Sequence, residues 1–250
     1  MEEYNWSTYG DRIAEAYDER FIRRLDTMAA VEAIADLATA AGATRVLELA
    51  IGTGRIALPL KERGFDVHGI DVSEAMVAKL REKPGGDAIP VTMGNFADVP
   101  VEGSFNVVYL VFNTFFALLS QTEQIECMEN VATHLEPGGI FVMECFVPDL
   151  ARYERGQNVS ATDVGVDVVE LDVARHRPTE QRIDASHIVL RDGDVRVYPV
   201  RFRYAWPAEL DLMARISGLR LRERWGGWER EPFTDDSGGH VSIYERAWKS

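Results

Sequence analysis

Val46-Leu47-Glu48-Leu49-Ala50-Ile51-Gly52-Thr53-Gly54, followed by Phe65-Asp66-Val67-His68-Gly69-Ile70-Asp71, is the stretch that decides the fold. Val46–Leu49 is a short apolar run of strand type, and the glycines turn it into a helix reaching about Arg63. Gly64 ends that helix. A second strand closes at Asp71, and Ser73 caps a helix over Glu74–Lys83. Further on, the same reading predicts strands at Ile89–Met93 and Phe105–Phe112 and a helix around Gln121–Leu135. A Pro137-Gly138-Gly139 turn and a strand at Ile140–Phe146 follow. Such β-turn-α alternation over about 105 residues specifies an α/β fold with a doubly wound parallel sheet and helices on both faces.

The flanks read differently. Residues 11–40 carry apolar positions at helical spacing, among them Ile13, Tyr17, Phe21, Leu25, Met28, Ile34 and Leu37. After Pro148 the pattern changes, and residues 165–205 hold three strand-like runs with a hairpin signal at Asp192-Gly193. Pro207 opens a helix to Ser217, and Gly218 stops it. Leu219–Trp225 and His240–Trp248 read as two last strands. The expected organisation is a helical segment or lid (1–40), a ligand-binding core (41–148), an antiparallel β cap (149–205) and a closing helix with two strands (206–250).

The chain has 250 residues with 27 basic and 41 acidic side chains, a formal charge of −14. That balance argues against general binding to nucleic acid or to anionic membranes. Cys127 and Cys145 stand alone in apolar stretches, so neither a disulfide scaffold nor a cysteine-rich zinc site is expected. The acidic start is unlike a signal peptide, and the apolar run Val107–Leu119 is too short to span a bilayer. A cytoplasmic protein, monomer or homodimer, is the expectation. The acidity is uneven: residues 1–150 hold 24 acidic and 11 basic side chains, residues 151–250 hold 17 and 16.

In an open α/β sheet, ligands sit at the carboxyl ends of the strands where strand order reverses. Gly52 and Gly54 let backbone approach a ligand there, but Gly52-x-Gly54-x-x-Ala57 also fits the dinucleotide fingerprint, so glycines alone leave the cofactor open. Glu48 is a carboxylate inside an apolar strand, where an unpaired charge is costly. A cationic ligand group would remove that cost; so would a nearby arginine. Asp71 ends the second strand, where an acid can hold both ribose hydroxyls or merely cap a helix.

Glu48–Gly54 and Gly69-Ile70-Asp71-Val72-Ser73-Glu74-Ala75-Met76 resemble the first two motifs of class I S-adenosylmethionine-dependent methyltransferases. Gly94-Asn95-Phe96-Ala97-Asp98 resembles their adenine-binding motif. Phe105–Val108 and Leu135–Gly139 resemble their fourth strand and the turn before the fifth. The likeness spans about residues 40–146, and the wider layout is most similar to small-molecule N-methyltransferases acting on amino sugars and amines. It implies a Rossmann-like, seven-stranded methyltransferase sheet with the β cap inserted after the fifth strand. It also implies S-adenosylmethionine as cofactor and S-adenosylhomocysteine as product. Glu48 and the Ala50–Gly54 loop would then hold the methionine part, Asp71 the ribose, Val72 and Met76 the adenine. Asn95 and Phe96 would address the adenine edge, with Leu110, Val111 and Tyr17 completing the cofactor site. Ala50 departs from the family's glycine, and Asn95 from its acid.

Acceptor recognition is expected outside that core. Tyr4, Trp6, Tyr9 and Tyr17 either fold over the cofactor or pack the first helices onto the sheet. Asn113, Tyr198 and Trp228 are further acceptor-side candidates, with Phe233 in the last loop. His187 shares a strand face with Ile183 and Ala185 and is a candidate base, although such a histidine is often a satisfied core residue. His240 and Glu144 are the other catalytic candidates. No metal-ligand constellation is present in the sequence. The expected reaction is in-line methyl transfer to a small acceptor, nitrogen preferred over oxygen, with positioning as the protein's main task. The alternatives are a nicotinamide oxidoreductase, a non-catalytic binding protein of the same fold, and a cofactor-binding cyclase.

Overall fold

The computed structural model describes residues 4–21 and 27–246. Helices α1 (Thr8–Phe21) and α2 (Thr27–Ala40) come first. The alternating part follows as β1 (Arg45–Leu49), α3 (Ala57–Glu62), β2 (Asp66–Asp71), α4 (Glu74–Arg81) and β3 (Val91–Met93). It continues through β4 (Phe105–Leu110), α5 (Gln121–His134) and β5 (Leu135–Phe146). Four strands, β6 (Gln157–Val164), β7 (Val168–Arg177), β8 (Arg182–Arg191) and β9 (Asp194–Arg203), form a separate antiparallel sheet. The chain returns through α6 (Pro207–Ile216), β10 (Leu219–Trp225) and β11 (Gly239–Arg246).

The main sheet has seven strands in the order β10-β11-β5-β4-β1-β2-β3. β1 to β5 pair in parallel, and β11 runs antiparallel to both neighbours. Period-two alternation sends Val46, Val107, Tyr109 and Ile140 into the layer of α2 and α3, and Leu47, Val108 and Phe141 into the opposite layer. Strands covered on both faces need such continuous apolar runs, which is why this half was legible. Strand order reverses between β1 and β4, so their carboxyl ends open a crevice. The α/β class and the cap placed after the fifth strand both match the expectation.

Three local readings need correction. The cap has four strands rather than three; β6 carries few apolar residues and is mostly exposed, so it lacks the alternation that marks a strand. Pro137-Gly138-Gly139 lies inside β5 rather than before it, as an irregularity between the pairs Phe105–Leu135 and Val107–Ile140. The third strand is shorter, beginning at Val91. Leu25 and the strand end at Trp248 fall outside the described residues. Among the described residues no helix is long and apolar enough to cross a membrane.

Candidate active site

The crevice begins at the end of β1. Glu48 is 3% exposed, and its Oε2 accepts a hydrogen bond from the Tyr109 hydroxyl at 3.0 Å. Burial pushes its carboxyl up to about 8, against the opposing pull of that bond and of the Arg55 charge. The chain then turns sharply, with φ of 56° at Ala50, 56° at Gly52 and 77° at Gly54. Ala50 is the one non-glycine among these three. Ala50→Gly is therefore expected to stabilise the fold by less than about 1 kcal/mol, the strain relieved being partly offset by the freer unfolded chain. The denaturant midpoint at unchanged slope reads this directly.

Asp71 ends β2 facing the same turn. Its Oδ2 accepts the Gly52 N–H at 2.7 Å and its Oδ1 the Ser73 N–H at 2.8 Å. Burial raises this carboxyl, and the backbone donors pull the other way. Ser73 caps α4 by accepting the Met76 N–H, and its own hydroxyl donates to Asp11 of α1 at 2.6 Å. Gly10 makes that approach possible, since a Cβ there would come within 2.8 Å of the Ser73 Cβ. α1 is latched a second time where the Thr53 hydroxyl donates to Asp18 at 2.6 Å. Its other side, with the residues just before it, meets the cap: Arg201 stacks on Tyr4 ahead of α1, while within α1 Ile13 packs on Tyr198 and Arg20 pairs with Glu170 at 3.3 Å. α1 thus lies between core and cap, and Tyr4, Trp6, Tyr9 and Tyr17 all line the space between them. Burial pushes the Tyr17 hydroxyl up to about 12, despite the opposing Arg55 charge.

That space is one cavity of ≈ 540 Å³ running from Glu48 and Asp71 to the inner face of the cap. Its far wall is made by Asp172 and Ala174 of β7, Ile183, Ala185 and His187 of β8, and Val200 and Phe202 of β9. Phe112, Asn113 and Phe146 bound it from the main sheet. His187 Nδ1 contacts Asp172 Oδ1, the two residues standing directly opposite in the β7–β8 pairing. Burial works to raise the Asp172 carboxyl, but the His187 bond and charge, with Arg20 and Arg152, prevail and hold it below the usual range.

A methyltransferase-domain family model matches residues 46–139. The cypemycin N-terminal methyltransferase of a Streptomyces species is 30% identical over 202 residues, spanning 80% of this chain and 82% of that protein. The chain belongs to the class I S-adenosylmethionine-dependent methyltransferases. The structure of the CcbJ methyltransferase from Streptomyces caelestis superposes with a TM-score of 0.88 at 41% identity, covering 98% of this chain and all of that one. The glycine/sarcosine N-methyltransferase of Parasynechococcus marenigrum is 28% identical over 254 residues, 95% of this chain and 86% of that protein. Family membership sets aside the nicotinamide reading and makes S-adenosylmethionine the cofactor. The crevice fits it: a buried carboxylate raised by burial suits a cationic amine, and glycine backbone beside a second acid suits a ribose.

In this methyltransferase the cavity gathers Tyr9, Tyr17, Glu48, Ala50, Gly52, Asp71, Val72, Met76, Phe96, Val111, Asn113 and His187. Gly54 is not in the wall, although Thr53 and Arg55 on either side of it are, and a Cβ there would meet Leu80 and Leu58. Leu110 is fully buried and is not in the wall. The Asn95 side chain accepts the Ala97 N–H at 3.0 Å, and Asn95 is not in the cavity wall. Tyr198 packs on Ile13 under Arg20, and Trp228 joins the core on the α2 side. His240 is buried with Nδ1 2.8 Å from the Ser242 hydroxyl, and burial, with Arg224, pushes its ring down to about 4. It lines a smaller neighbouring cleft instead, with Glu144. The sequence reading missed Phe112 and Phe146 of the wall, and it missed Asp172. Its signal was symmetry: Asp172 and His187 lie equally far from the turn at Pro178–Gln181. Among the described residues no group of three or more His, Cys, Asp or Glu is arranged to hold a metal ion.

Proposed function

We propose that the protein methylates the nitrogen of an amine carried on a small, largely apolar acceptor. The observation that carries this reading is the Asp172–His187 pair on the cap, in the wall of the same cavity as Glu48 and Asp71. Glu48 takes the cofactor's amine, Asp71 its ribose, and Val72, Met76 and Phe96 its adenine side. Bound S-adenosylmethionine supplies an electrophilic methyl on a sulfonium. An aliphatic amine enters as its ammonium form, and the Asp172 carboxylate favours that cation over an anionic acceptor. With Nδ1 of His187 engaged by Asp172, Nε2 is the ring atom left to take the amine's proton. The neutral nitrogen left behind is the nucleophile. Phe112, Phe146 and Phe202 hold the acceptor's apolar body and exclude water. The names of two relatives, an N-terminal and a glycine/sarcosine N-methyltransferase, support nitrogen as the target.

The test is a panel of primary and secondary amines, a short peptide with a free N-terminus, phenols and carboxylic acids, scored by S-adenosylhomocysteine formation. Turnover confined to phenols or acids would overturn the reading. With a reactive amine, His187→Ala is expected to slow turnover about 100-fold at pH 7, with cofactor affinity unchanged. The deficit shrinks as pH rises, because solution then supplies the free amine. A deficit that stays constant with pH rejects His187 as the base.

A further inference from the structure

We propose that Glu144 is a positioning residue, holding Phe112 and Asn113 in a left-handed backbone pair that forms the acceptor wall beside the cofactor crevice. This deepens the amine-methylation reading and rests on it for the nature of the acceptor. β4 ends at Leu110, and two residues later the chain takes φ of 59° at Phe112 and 61° at Asn113. Consecutive non-glycine residues in this region are uncommon, because each Cβ crowds the following carbonyl. Both N–H groups are held from β5 by one residue. Phe112 donates to the Glu144 carboxylate at 2.6 Å, and Asn113 donates to the Glu144 carbonyl at 3.2 Å.

The bend then closes on itself, with the Thr114 N–H on the Val111 carbonyl at 3.3 Å and the Phe116 N–H on the Asn113 carbonyl at 3.0 Å. Strained backbone persists where its surroundings over-determine it, and here those surroundings are the side chain and main chain of Glu144. The place matters. Phe112 and Asn113 follow β4 at the point where strand order reverses, both line the cavity, and the Phe112 ring carries the Arg55 guanidinium at 5.6 Å. In-line displacement loses rate steeply when the nucleophile is misplaced by an ångström. Glu144, a catalytic candidate in the sequence, therefore works through the wall and not on the acceptor.

The test compares Glu144→Ala, Glu144→Gln and the double variant Glu144→Ala with Asn113→Gly, each crystallised with S-adenosylhomocysteine and assayed with an amine from the panel. The amide of Glu144→Gln still accepts the Phe112 N–H, so positive φ is retained and acceptor KM stays within about threefold of the parent. In Glu144→Ala the pair relaxes toward negative φ and acceptor KM rises at least about tenfold, while cofactor affinity changes less than about twofold. Asn113→Gly, which holds left-handed backbone without strain, relieves the second residue of the pair and restores the bend in part in the double variant, where the main-chain carbonyl at 144 still accepts the N–H of residue 113. A left-handed pair that persists in Glu144→Ala with acceptor KM unchanged overturns the proposal; so does an equal rise in the cofactor and acceptor KM values. If the wall relaxes as expected but no amine turns over, the amine reading fails and the role of Glu144 in holding the wall stands.

Discussion

Glu48→Gln is expected to weaken S-adenosylmethionine binding by about 100-fold, the lower end of what losing one partner of a buried charge pair costs. Only the charge is lost, since the amide can still accept the Tyr109 hydroxyl that donates to Glu48 at 3.0 Å. The parent should also bind its cofactor in a pH-dependent way. Burial raises the Glu48 carboxyl to about 8, so at pH 7 it is mostly protonated in the free protein. Pairing with an ammonium requires the carboxylate, so binding expels close to one proton at pH 7 and fewer above pH 8. Affinity accordingly falls by up to about tenfold per pH unit below 8. Titration calorimetry in buffers of different ionisation enthalpy reads the proton release, and in the glutamine variant it should vanish.

The same group has the opposite effect on the free fold. Its folded value lies above the ordinary 4.5, so protonation stabilises the native state. That contribution is complete below about pH 4.5 and is lost as pH rises through about 8. Without cofactor, the glutamine variant should therefore be more stable than the parent at pH 8 and above, with the gap closing in acid. Tight binding by Glu48→Gln, or proton release that survives the substitution, removes Glu48 from the role proposed for it.

Arg203→Ala is expected to cost about 3 kcal/mol of stability, lowering Tm by roughly 6–12 °C in a chain of this size. Arg203, 6% exposed at the end of β9, donates to Gln124 of α5 at 2.6 Å, to Gln181 before β8 at 3.2 Å, and to Glu209 of α6 at 2.7 Å. Gln124 returns the contact by donating to the Arg203 carbonyl at 2.9 Å. One guanidinium thus ties the cap to two helices of the core. Burial works to raise the Glu209 carboxyl, and Arg203 with Gln181 and Gln121 holds it below the usual range instead. Truncation leaves that carboxylate and the buried Gln124 oxygen without their cation. Stability due to Glu209 is present above its ordinary value of 4.5 and fades as pH falls, so the variant's deficit should narrow in acid. A melting curve within about 2 °C of the parent would show that the cap is held elsewhere.

The contrast between the two halves explains what could be read in advance. Val46–Leu49 and Val107–Leu110 are buried on both faces, so burial demanded apolar runs that announce a parallel sheet. Glu48 and Asp71 were legible because a charge in such a run needs a reason. β6 was missed because a half-exposed cap strand needs little apolar patterning. Tyr198 and Phe202 share a face by period-two alternation, yet the cap lays Phe202 on the cavity and Tyr198 on Ile13 of α1. Periodicity says which residues share a face, not what that face meets.

By itself the sequence determined the sheet, the cofactor crevice and the placement of acidic residues at strand ends, because these follow from local burial and turn chemistry. The tertiary structure alone decided what closes the crevice. α1 is seated there by the Ser73–Asp11 and Thr53–Asp18 hydrogen bonds, Asp172 meets His187 across a strand pair, and Glu144 reaches the Phe112 N–H from a neighbouring strand. Those contacts join residues 15 to 62 positions apart. Their partners are set by strand register and helix docking, and no local pattern encodes either.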